Sequence, residues 1–221
     1  MLIVGGFMGK ICYIVGAGEF YNHRIEPYPD DYVIAVDNGF NYLMSMGVRI
    51  DLVVGDFDSY GGGIPPHPNV IVLKQEKDDT DMLAAINIGK SKGYKNFCLY
   101  GGIGGRISHT MANIQCLHML SKEGMQGFMY GDAEIITVIT DSQIDFGDNY
   151  RGYISIFSLS GKAEKVNIKN LKYEIEDQNM TNKYPLGISN EFIGKKSSVS
   201  VERGTLLIIY EFDDRGRAFR F

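Results

Sequence analysis

Two hydrophobic rhythms divide the chain. Through the first 130 or so residues, short apolar runs alternate with glycine turns and helix-period segments. Lys10–Val15, Tyr32–Val36, Leu52–Val54, Val70–Leu73, Phe97–Tyr100 and Gly127–Tyr130 read as strands. A short helix follows Asn38. A second covers Asp81–Lys92, with Met82, Leu83, Ala85, Ile86 and Gly89 on one stripe and Thr80 as its N-cap. A third runs from Arg106 to Lys122 and stops at Gly124. This alternation predicts an α/β unit: a Rossmann-like parallel sheet with helices on both faces.

The rhythm changes near residue 132. Glu134–Thr140, Gln143–Phe146, Tyr153–Leu159, Ala163–Ile168, Ser197–Val201 and Thr205–Phe212 are β runs separated by turn residues, with no helical period among them. They predict an all-β sandwich or barrel, and the sandwich is the expectation carried forward. The division expected is 1–132 for the α/β unit and 133–221 for the β-sandwich. The tail Asp213–Phe221 is charged and expected to fray.

Composition narrows the class. A chain of 221 residues, 44% hydrophobic and 22% charged, has the material for a buried core. The net charge of −5 offers no basic excess for nucleic acid or an anionic membrane, so neither is expected as a partner. Cys12, Cys98 and Cys116 each lie in an apolar run and form no CxxC pair, which suits buried thiols in a reducing compartment. No apolar run approaches the roughly 18 residues of a membrane span. The start MLIVGGFMGK does not read as a signal peptide. A cytoplasmic location is expected.

The polar residues fall in a telling place. Asp37 follows the second strand, Asp56 and Asp58 the third, Asp78, Asp79 and Asp81 the fourth, and Gly101-Gly102 the fifth. Ligands of an open parallel sheet bind beyond the carboxyl ends of its strands. Two carboxylates on one turn repel unless a cation lies between them, and hard oxygen donors select Mg²⁺. Asp81 is a candidate third ligand. Four glycines in Gly101–Gly105, a helix start and Arg106 make a candidate phosphate cradle. The pattern is neither a Walker A motif nor GxGxxG. His109 falls on the first turn of the helix, whereas His23, His67 and His118 have no metal-ligand spacing and read as structural or surface residues. Acids at one edge with a phosphate cradle suit phosphoryl or pyrophosphoryl transfer.

At these residues the sequence resembles the thiamine pyrophosphokinase family. Val36–Asn41 is similar to its ADGGAN segment, Asp51–Ser59 to PDxIxGDFDS, Lys77–Asp81 to KDxTD, Gly101–Asn113 to GGxGGRxDHxLAN, and Pro185–Glu191 to a GxSNE turn. The resemblance implies transfer of pyrophosphate from ATP to the hydroxyl of thiamine, Mg²⁺, and a homodimer with thiamine held between subunits. It implies Asp56, Asp58 and Asp81 as metal ligands and, with Arg106, as the catalytic set. It implies nucleotide contacts from Asp37, Asn41, Asp78, Thr80, Gly102, Gly104, Gly105, Arg106, His109 and Asn113, and thiamine contacts from Ser189, Asn190 and Tyr173.

Three positions depart from the family pattern. Ser108 stands where the family usually has Asp, which leaves the general base open. Asn38 replaces a glycine, and Glu174-Ile175-Glu176 follows Tyr173. Two other readings stand beside the leading one: a related small-molecule kinase acting on another alcohol, and a nucleotide-binding module without catalysis.

Overall fold

The computed structural model describes residues 9–21, 23–57, 63–74 and 79–211. One ten-stranded sheet forms the backbone of the molecule. Its parallel half contains β1 (Ile11–Val15), β2 (Tyr32–Val36), β3 (Leu52–Gly55), β4 (Val70–Val72), β5 (Asn96–Tyr100) and β6 (Gln126–Tyr130). Its antiparallel half contains β7 (Glu134–Thr140), β9 (Tyr153–Ser158), β12 (Gly187–Glu191) and β14 (Thr205–Glu211). The order across the sheet is β12-β9-β14-β7-β6-β5-β1-β2-β3-β4. The remaining strands form a four-stranded sheet in the order β11-β10-β13-β8, from β8 (Gln143–Phe146), β10 (Ala163–Lys169), β11 (Ile175–Met180) and β13 (Ser197–Ser200).

The expected α/β arrangement is present. Strands β1 and β3 are buried along their whole length, as parallel strands covered on both faces must be. Helix α1 (Gly39–Ser45) packs Phe40 and Leu43 on one face, against Tyr13, Val15, Val33 and Ala35. Helices α2 (Asp81–Ser91) and α3 (Ile107–Lys122) cover the other, through Met82, Ala85, Ile86, Ile114, Leu117 and Leu120 against Cys12, Ile14, Ile34 and Leu99. The small sheet lies on the α1 side. Its Ile144, Phe146, Val166, Ile168 and Val199 share a core with Ile154, Ile156, Leu206, Ile208 and Tyr210 of the long sheet. That is the expected sandwich.

The long sheet runs unbroken from one half into the other. Strand β6 pairs parallel with β5 and antiparallel with β7, with Phe128 opposite Thr137. The amide of Gly131 donates to the Glu134 carbonyl at 2.8 Å and closes the turn between them.

Two strands lie where no strand was expected. Strand β11 reads IEDQNM with four exposed residues in a row, and β12 reads GISNE at the sheet edge. Neither alternates apolar with polar. Each is an edge strand, fixed by backbone pairing with a neighbour rather than by an apolar face of its own.

Candidate active site

The strand order reverses between β1 and β5. From β1 the chain steps outward through β2, β3 and β4, and with β5 and β6 it steps the other way. A crevice opens at such a point, outside the carboxyl ends of the strands. Here it is a cleft of about 650 Å³, lined by Gly16–Gly18, Val36–Asn38, Asp56, Phe57, Thr80–Met82, Gly101, Gly102, Gly104–Arg106, His109, Ala112 and Asn113.

The glycines at the reversal are small because two backbones touch there. The amides of Gly16 and Gly18 donate to the carbonyls of Tyr100 and Gly101 at 2.8 and 3.0 Å. A Cβ on Gly16 or Gly18 would strike the Gly101 carbonyl, and one on Gly101 would strike that of Gly16. The turn after β1 and the turn after β5 therefore form a single interlocked wall. Further along, Glu19 packs its side chain over Gly104, whereas Gly105 faces open space. The Asn113 side chain donates to the Gly102 carbonyl at 2.7 Å, tying the turn to α3. Arg106 occupies the N-cap position of α3 in extended conformation, with no side chain capping the helix. An open helix N-terminus beside a glycine turn attracts anions.

The opposite wall is acidic. Asp37 leaves β2 with φ 49°, and its amide donates to the Val54 carbonyl at 3.0 Å. Its carboxylate lies against the Cα of Gly55, where any side chain would collide with it. Asp56 follows at once, and Phe57, at φ 56°, turns its ring into the core. Asp81 opens α2, capped by Thr80, whose hydroxyl accepts from the Leu83 amide at 3.2 Å. Asp37, Asp56 and Asp81 thus meet in one cleft from three separate segments. Asp58 and Asp78 lie outside the described residues.

Some expected residues stand elsewhere. Asn41 does not line the cleft; it is exposed and donates to the Asn38 side chain at 2.8 Å, and Asn38 does line it. Ser108 is exposed on the first turn of α3 and is not among the lining residues. Tyr173, Ser189 and Asn190 sit together at the far edge of the long sheet. Asn190 is buried, accepts from the Tyr173 amide at 3.0 Å and donates to the Tyr173 carbonyl at 2.7 Å. Its amide group therefore fixes the backbone that presents the exposed Tyr173 ring, over which Lys172 lies at 5.6 Å. Ser189 is exposed at φ 57°.

The donor set fits a hard divalent cation, with the carboxylates of Asp56 after β3 and Asp81 at the start of α2 in the lining and no cysteine among the described lining residues. Among the described residues no group of three or more His, Cys, Asp or Glu is close enough to hold a metal ion alone. Mg²⁺ commonly takes one or two carboxylates and completes its shell from water and substrate phosphates.

Asp37, Asp56 and Asp81 share this crevice with the glycine turns and Arg106, the makeup of an enzyme of the kinase class. Two family models match the chain: "Thiamin pyrophosphokinase, catalytic domain" over residues 29–129 and "Thiamin pyrophosphokinase, vitamin B1 binding domain" over residues 137–206. Thiamine pyrophosphokinase of Bacillus subtilis is 27% identical over 214 residues, covering 93% of this chain and all of that protein. The solved structure of the Geobacillus thermodenitrificans thiamin pyrophosphokinase is similar at TM-score 0.80 and 25% identity, covering 92% of this chain and 98% of that one. That of Candida albicans shares the fold at TM-score 0.70 and 15% identity, covering 92% and 89%. The chain belongs to the thiamin pyrophosphokinase family.

Proposed function

We propose that this chain transfers the pyrophosphoryl group of ATP to the hydroxyl of thiamine, giving thiamine diphosphate and AMP. The observation that carries the reading is the crevice at the strand reversal, with acids on one wall and interlocked glycine turns on the other, in a chain of this family. The glycine turn and the start of α3 receive phosphate oxygens, and Arg106 grips them. Asp37 and Thr80 shape the opposite wall. Gly102, Gly104, Gly105, His109 and Asn113 complete the nucleotide side.

Asp56 and Asp81, joined by Asp58, would hold Mg²⁺. Bound there, Mg²⁺ would supply neutralisation of the polyphosphate's negative charge. The protein's own part is positioning: it fixes the polyphosphate between two rigid walls so that the alcohol attacks in line. On the acceptor side, Tyr173 and Ser189 meet thiamine and Asn190 holds Tyr173 in place. These residues belong to the cleft of a second copy, so the working form is a homodimer. A cytoplasmic location suits the three cysteines, which are buried and free. Among the described residues no helix is long and apolar enough to cross a membrane.

The test is to incubate the protein with ATP, Mg²⁺ and thiamine and to separate the nucleotides. AMP and thiamine diphosphate in equal amounts are expected. ADP as the product, or nucleotide binding without turnover, overturns the proposal.

A further inference from the structure

The connection between β1 and β2 supplies one wall of the cleft, yet among its described residues no helix forms. A loop without its own hydrogen-bond ladder holds its position only through its fixed points. Toward its far end these include Arg49 on the Tyr28 and Asp31 carbonyls and Tyr94 on the Asp30 carbonyl. Beside the cleft they are the amides of Gly16 and Gly18 on the Tyr100 and Gly101 carbonyls, the Tyr42 hydroxyl, which donates to the Gly18 carbonyl at 3.2 Å, and His23. It is only 5% exposed, and its Nε2–H donates to the Gly131 carbonyl at 2.6 Å.

The surroundings of that imidazole are specific. Its ring lies 5.6 Å from Tyr100 and 6.0 Å from Tyr130, which stack on each other at 4.6 Å. Phe20 and Tyr21 approach from the loop side at 6.4 and 6.2 Å. Tyr100 is the last residue before the glycine turn of β5, and Gly131 follows the last residue of β6. One side chain therefore ties the β1 loop to the heads of both strands beside the phosphate cradle.

We infer that His23 is a positioning residue for the nucleotide: through Gly131 and Tyr100 it holds the Gly16–Gly18 wall against the Gly101–Gly105 turn. This rests on the cleft being the nucleotide site. Because the wall meets bound nucleotide before and during transfer alike, its loosening raises KM for ATP and leaves kcat nearly untouched.

The experiment compares His23→Phe, which keeps the ring and removes the donor, with His23→Gln, which keeps a donor at similar reach. The Phe variant is expected to raise KM for ATP about tenfold with kcat within about twofold, KM for thiamine unchanged, and the Gln variant to restore most of the loss. Amide exchange of the free protein at Gly16 and Gly18 is expected to quicken in the Phe variant. Should that variant not fold, His23→Asn, which withdraws the donor from Gly131, is read the same way. Wild-type KM for ATP with unchanged exchange overturns the inference, as does an equal change in all kinetic constants. A wild-type protein that turns over no ATP overturns the functional reading instead, while the exchange measurement still judges the His23 contact.

Discussion

Replacing Gly55 by alanine adds one methyl group at the tightest point of the acidic wall. Gly55 ends β3, fully buried, between two residues that both take positive φ, Asp37 at 49° and Phe57 at 56°. The new Cβ would fall on the Asp37 carboxylate and lie 3.1 Å from the Phe57 ring. Neither neighbour yields freely: the Asp37 backbone, from which the carboxylate projects, is held by the hydrogen bond its amide donates to the Val54 carbonyl, and Phe57 is packed in the core. Overpacking of this kind costs about 1–3 kcal/mol. For a chain of this size each kcal/mol lowers Tm by about 2–4 °C, so a fall of about 2–12 °C is expected by calorimetry. Asp37 and Asp56 must shift with it, and kcat/KM is expected to fall at least about tenfold, some 1.4 kcal/mol of transition-state stabilisation. The Asp37→Ala/Gly55→Ala double variant separates the two effects. Removing the carboxylate relieves the collision, so the two changes are expected to be less destabilising together than their sum, by about 1–3 kcal/mol, while activity stays low. Additive stabilities would refute the collision with Asp37. A Gly55→Ala protein with wild-type Tm and wild-type turnover would refute the close approach altogether.

Asp56→Asn and Asp81→Asn are each expected to lower turnover at least about tenfold and to raise the Mg²⁺ concentration needed for half-maximal rate; two variants with wild-type rates and Mg²⁺ dependence would remove both residues from the proposed metal site. His118 provides a pH test of stability. Burial, and then the charge of Lys122, lower its pKa in the folded protein. The unfolded chain then binds the proton more readily, so this contribution is present above the unfolded value of about 6.5 and is lost as pH falls through the folded pKa. His118→Gln, which can keep the 3.4 Å contact to the Thr205 hydroxyl, is expected to flatten the fall of Tm between about pH 7 and pH 5; an unchanged slope would rule His118 out as its source.

What the chain discloses before folding depends on which force fixes each part. Strands such as β1, β2 and β7 are built on buried apolar runs, so hydrophobicity locates them, β1 starting one residue after the expected Lys10. The acids after β2 and β3 and the glycines after β5 are legible because a parallel sheet sends all its strand ends to one edge. Edge strands β11 and β12 are not legible, since backbone pairing rather than an apolar face holds them. Contacts between distant segments escape for a different reason. No spacing signals that Asn190 will clasp Tyr173, or that His23 will reach a carbonyl 108 residues away. Gly16 and Gly18 look like a nucleotide motif missing its third glycine, yet their smallness is required by Gly101, a neighbour visible only in the fold. Asn41 sits in a recognisable segment, but a helical residue three positions on from Asn38 is turned toward that residue and not into the cleft.

The distance between the cleft and the proposed acceptor residues bears on how the enzyme would work. Strand β12, which carries Ser189 and Asn190, is separated from β5 by β9, β14, β7 and β6. At about 4.8 Å per step the path across the sheet is about 24 Å. No side chain spans that gap, so under the proposed function a second copy would bring the acceptor residues to the cleft. Subunit mixing tests this. Asp56→Asn disables the nucleotide side, and Asn190→Ala, by releasing Tyr173, disables the acceptor side. In a symmetric dimer the mixed species has one site carrying both lesions and one carrying neither. Half the dimers in an equal mixture are mixed, with one sound site of two. Two nearly inactive proteins, exchanged and remixed, are therefore expected to recover about a quarter of wild-type activity. Recovery no greater than the average of the two parents would mean that each chain completes its own site, and the 24 Å separation would then have to close by movement within a single subunit.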